Sequence, residues 1–161
     1  MNRKDILNDP IKSLNLKNNV QVAFYDLSKT IAGDRWFVRV CCVAKLPLLD
    51  VFFEGLEEDK EIVNAMKEAC DAELTMEIVK DRNFIDEQLK DDVVKQFILQ
   101  IEENSIGYMS SDIFPQKLFL SKFEEFKKKH LLTKASEGNS ASRDVLDEDD
   151  GPTDFSACFQ D

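Results

Sequence analysis

The sequence is short of the side chains that most often carry chemistry. In 161 residues it has one histidine, one tryptophan, four cysteines, five glycines and four prolines. Histidine-based proton transfer would have to rest on His130 alone. Its neighbours Lys127, Lys128 and Lys129 do not offer the orienting partner that a general base needs. Read as the C-terminal turn of a helix, this run is accounted for by the helix dipole. Cys41, Cys42, Cys70 and Cys158 contain no C-x-x-C pair, and adjacent residues of a strand point to opposite faces. A disulfide framework, a zinc site and a bound cofactor are therefore not expected. Cys158 stands among acids, which work against a reactive thiolate.

Long apolar runs are also missing. The most apolar stretch, Leu46 to Phe53, is interrupted by Pro47 and Asp50 and is too short to span a bilayer. The N-terminus, Met1 to Pro10, has basic residues without an apolar segment behind them, so no secretory signal is expected. Together these readings predict a cytoplasmic protein with reduced thiols.

Positive charge is in deficit: 21 Lys and Arg stand against 32 Asp and Glu, for a net charge of −11. From Thr133 onward, eight acids face only Lys134 and Arg143, and the rest of the chain is acidic too. Both parts repel phosphate, which argues against nucleic acid and anionic membranes as partners. Basic protein surfaces are favoured instead.

What is present is alternation and helical periodicity. Val20, Val22 and Phe24 alternate with Gln21, Ala23 and Tyr25, and a second alternating run spans 35–46, so an antiparallel hairpin is predicted. Leu48 to Phe53 either extends the sheet or crosses it. Helical spacing over 57–70 places Ile62, Met66 and Ala69 on one stripe, and alternation resumes from Ala72 to Lys80. Asn83 and Asp86 resemble a capping box opening a helix to about Asn104. Its acids, with those of the other helices, read as a solvated face rather than a paired-carboxylate site. A turn around Gly107 follows, and Pro115 opens a last helix. The expected fold is α+β, a small, mainly antiparallel sheet in the order β-β-α-β-α-α packed against helices. Residues 1–17 read as a mobile or loosely docked leader, 18–132 as one domain and 133–161 as a disordered acidic tail.

Two segments hold candidate sites. The run Asp26 to Trp36 reads as a hairpin loop. It gathers Asp26, Ser28, Lys29, Asp34 and Arg35, which suit a small anionic ligand. It lacks the glycine and lysine spacing of a P-loop, and it misses D-x-S-x-x-G because Gly33 falls two residues late. The structural alternative is a connection in which Asp26 and Asp34 bond loop N–H groups and Gly33 makes the turn. In the tail, Asp149 and Asp150 precede Phe155 and Phe159, aromatic residues four apart that would share one side of a helix docked in a partner's groove. The leading expectation is a non-catalytic, cytoplasmic protein-interaction module. A ligand-binding sensor or enzyme on the Asp26–Trp36 segment is the alternative, and self-assembly through an apolar sheet face is a third reading.

Overall fold

A computed structural model describes residues 9–139. The fold is α+β: an antiparallel sheet of five strands with helices packed on one face. The strands are β1 (Lys12–Asn15), β2 (Gln21–Asp26), β3 (Lys29–Ala32), β4 (Arg35–Pro47) and β5 (Glu73–Asp86). The helices are α1 (Lys60–Ala69), α2 (Lys90–Ile101) and α3 (Phe114–Asn139).

The sheet is a meander of four lanes. β2 and β3 pair successively along one side of β4, with Gln21 opposite Lys45, Asp26 opposite Val40 and Lys29 opposite Phe37. They are two stretches of one hairpin arm, interrupted at Leu27 and Ser28. The loop expected over 28–34 is therefore mostly strand, and the turn shrinks to Gly33 and Asp34 between paired Ala32 and Arg35. Gly33 has φ +55, while Asp34 does not enter the positive region. A two-residue hairpin turn with glycine first uses this conformation because a Cβ is disfavoured there.

On the helix-facing side, Val22 and Phe24 meet Val38, Val40, Cys42, Ala44 and Leu46, continued by Leu74 on β5. Val93, Val94, Phe97 and Ile101 of α2 and Leu118, Phe119 and Phe123 of α3 cover them. The Phe119 ring stacks on Phe52 at 5.3 Å and meets Phe53 edge-on at 5.0 Å. Asp50–Phe53 is a short 3-10 helix, so this segment leaves the sheet and crosses the core rather than extending β4.

Four expectations change. Part of the presumed leader is β1, which pairs with β2 and packs Leu14 and Leu16 against the core; two inward residues are too few to show as periodicity. β5 continues past Lys80 to Asp86, so Asn83 is a strand residue. The cap is Asp86, whose carboxylate accepts from the Gln88 N–H at 3.0 Å. Residues 105–109, expected as a turn, continue α2 through a wider π-type turn to Met109. Finally, α3 runs to Asn139, so 133–139 are helical rather than tail, and His130 lies inside the helix rather than at its end. The remainder of the tail lies outside the described residues.

Candidate functional site

The five residues singled out between Asp26 and Trp36 divide into three groups. Asp26 and Ser28 form the first. The Asp26 carboxylate accepts from the Ser28 N–H at 3.0 Å and from its hydroxyl, and the Ser28 Oγ accepts from the Arg39 N–H at 3.1 Å. Leu27 N–H donates to the Arg39 carbonyl at 2.8 Å. The serine hydroxyl thus replaces a missing strand carbonyl at the break between β2 and β3, satisfying an N–H that would otherwise lose its partner. From α2, Lys90 closes the group: its Nζ lies 3.5 Å from Asp26 and 4.6 Å from the centre of the Trp36 ring.

Asp34 and Arg35 form the second group. Arg35 reaches Asp34 at 3.5 Å and Asp86 at 3.2 Å, while the Asp34 carbonyl accepts from the Glu87 N–H at 2.9 Å. These contacts tie the hairpin turn to the start of the next helical segment. Lys29 stands apart, 5.8 Å over the Phe37 ring, whose other cation is Arg39 at 4.7 Å. Arg39 in turn holds Asp81 across the ladder at 2.6 Å. The segment is therefore a cross-linked hairpin end whose five candidate residues are not gathered round one point.

Two hollows lie away from this segment. A groove of about 560 Å³ opens at the other end of the sheet, between Asn15, Asn19, Gln21, Leu46, Leu49 and Pro115. Asn18 frames it, donating to the carbonyls of Met109 at 2.7 Å and Ser111 at 2.9 Å. A smaller hollow of about 190 Å³ lies between Met66, Cys70, Leu74, Lys122, Glu125 and Phe126.

His130 stacks on Phe126 and places Nε2 3.7 Å from Glu61, without a hydrogen-bond partner for that buried atom. Glu61 is an exposed residue on α1, and its carboxyl is held below the usual range by the hydrogen bond from Lys134, then by that lysine's charge and His130. The cluster joins α1 to α3 on the surface. Burial pushes the Cys42 thiol up to about 12, aided by Cys41 and Glu102, which keeps it protonated. Among the described residues, no group of three or more His, Cys, Asp or Glu is placed to hold a metal ion, and no helix is long and apolar enough to cross a membrane.

Sequence reasoning did not single out the residues that the two β-bulges display. On the β3 side the register slips between Thr30 and Ala32, leaving Ile31 unpaired and exposed. On the β5 side it slips between Trp36 and Val38, which leaves Asn83 and Phe84 facing Phe37. Phe84 is 71% exposed and has φ +57, a conformation that costs a phenylalanine about 1–2 kcal/mol. The only sequence signal was an aromatic residue closing the polar run Asp81-Arg82-Asn83. The tail candidates Asp149, Asp150, Phe155 and Phe159 lie outside the described residues. The chain matches no protein-family model, no curated protein and no solved structure.

Proposed function

We propose that this protein is a non-catalytic interaction module that recognises another polypeptide through the Gly33 end of its sheet. The observation that carries this reading is the pair of β-bulges flanking the start of β4, which expose Ile31 and Phe84 beside the cation-dressed ring of Phe37. An exposed phenylalanine beside a half-buried ring framed by arginine and lysine has the composition of an interface anchor, where a flat ring buries much area at low entropy cost. A bulge that re-aims a side chain at the edge of a sheet is a recurrent device at functional surfaces. The acidic-aromatic tail, with Asp149, Asp150, Phe155 and Phe159, supplies a second contact on this reading. Thiols at Cys42 and Cys70 that form no disulfide suit the cytoplasm as its compartment.

Three versions of the chain separate the two contacts. Quantitative capture of partners by the full chain is compared with Ile31→Asp/Phe84→Asp and with a deletion of 140–161. The reading predicts that the bulge variant loses the partners at unchanged fold, and that the deletion weakens their recovery. Undiminished capture by the bulge variant contradicts it. A metabolite or anion that raises Tm, with the shift lost in Asp26→Ala or Arg35→Ala, would favour ligand binding instead.

A further inference from the structure

β5 closes one side of the sheet. It pairs with β4, and among the described residues no strand lies beyond it. From Glu73 to Arg82 its ladder with β4 has no register shift and no proline. Edges this long and regular are usually blunted by a bulge, a proline or brevity, because their outward N–H and C=O groups accept another strand. The direction of those groups follows from two places. Arg39 directs its N–H to the Ser28 Oγ at 3.1 Å and its carbonyl to the Leu27 N–H at 2.8 Å, both on the β2–β3 side. Its register partner Asp81 therefore turns N–H and C=O away from β4. At the near end the Ala72 carbonyl accepts from the Leu48 N–H at 2.8 Å, so the Glu73 N–H across the same trans peptide points outward. Alternation along the strand gives Thr75 and Val79 the same outward direction.

The hollow of about 190 Å³ adjoins this edge. Glu73, Leu74 and Thr75 all line it, although neighbours on a strand face opposite sides, so it lies against the edge rather than over one face. Their register partners Pro47, Leu46 and Lys45 do not line it, which puts it on the side away from β4. Whole small molecules take pockets of about 300–1,000 Å³; this one, with Met66, Leu74 and Phe126 in its lining, suits a single apolar side chain. Charge narrows the choice of occupant. Leu74, Met76 and Ile78 pack toward the helices, so Glu73, Glu77 and Asp81 form an acidic row on the other face. Arg39 shows the pairing such a row favours, holding Asp81 across the ladder at 2.6 Å. A second copy of β5 would bring an identical acidic row alongside. We propose that the β5 edge is the docking site for an extended segment of another polypeptide. That segment adds a strand beside β5, sets one apolar side chain in the hollow and carries basic residues along the acidic row. The site lies at the opposite end of β5 from Phe84 and is independent of the Gly33 end.

The probe is a library of short random peptides displayed on phage, selected against the full chain. Enriched peptides are expected to alternate basic and apolar residues. Thr75→Pro removes an outward N–H and none that bonds β4, a substitution that edge strands tolerate. It is expected to weaken the enriched peptides about tenfold, through the loss of one hydrogen bond to the added strand. Ile31→Asp/Phe84→Asp is expected to bind them unchanged, which separates this site from the Gly33 end. Should Thr75→Pro disturb the circular dichroism, the peptides give an independent reading. N-methylation along an added strand abolishes binding at alternate residues and is tolerated at those between. Equal binding to folded Thr75→Pro, N-methylation effects without alternation, or a library that yields no enriched peptide overturns the proposal. So does enrichment that requires deletion of 1–8 or 140–161, which makes the chain's own terminus the occupant, or a dimer that Thr75→Pro splits, which makes a second copy the occupant.

Discussion

At position 84 a phenylalanine occupies backbone that glycine or asparagine would occupy more easily, and most of its ring faces water. Neither feature stabilises the fold. Phe84→Gly relieves the left-handed strain and gives back part of the gain through a more flexible unfolded chain, so we expect about 0.5 kcal/mol of added stability by denaturant unfolding. A loss above about 1 kcal/mol would show that the ring packs in the fold. Cys42 behaves oppositely. Its folded pKa is raised from 9.0 to about 12, so the stability linked to its neutral form is complete below 9.0 and disappears as pH rises toward 12. Chemical denaturation across this window should show an alkaline decline that Cys42→Ala diminishes. An identical decline in that variant would assign it to other groups.

Among the elements, the hairpin arm shows what sequence reading reaches and what it does not. Alternation over 20–25 and 35–46 is legible because one face of each strand is apolar and meets the helices. The distal arm, Lys29 to Ala32, carries no such contrast: all four residues are exposed, so a strand there reads as loop. β5 past Lys80 fails for a like reason: Asp81 and Asp86 pair with Arg39 and Arg35, and the one inward apolar residue, Ile85, is too little to make a hydrophobic period. Asp26 was legible as a residue that bonds loop N–H groups, but the structural part of Ser28 was not, nor was Lys90, which is distant in sequence and completes the group. Lys90→Met keeps the aliphatic stem and removes the charge from Asp26 and Trp36. With the pair only partly buried, we expect a loss of about 1 kcal/mol, most of it missing when Asp26 is already Asn. Additive losses in that double-mutant cycle would argue that the two residues act separately.

The molecule as a whole has its helices joined to one another by charge as well as by aromatic packing. Lys127 reaches Asp59 at 3.0 Å, and Lys134 and His130 both approach Glu61, so the outer half of α3 is held to the α1 region by ion pairs. Because the folded pKa of Glu61 is lowered, its contribution is present above the ordinary value of 4.5 and fades as pH falls through the lower folded value. Hydrogen-exchange protection over 130–139, corrected for the intrinsic rate at each pH, should therefore fall in acid before that of the sheet does, and fall with salt at neutral pH. Protection insensitive to both would remove the electrostatic account of this docking. The interaction proposed for the protein is placed at the sheet end because strain, exposure and cation–π contacts coincide there.

That coincidence is tested most directly by placing a photoreactive benzophenone side chain at position 84 of the full chain, with Glu68 on the exposed face of α1 as the control position. Irradiation in cells is predicted to give a discrete covalent adduct with another polypeptide from position 84 and none from position 68. No adduct from position 84, or the same adducts from both positions, would contradict recognition through the sheet end.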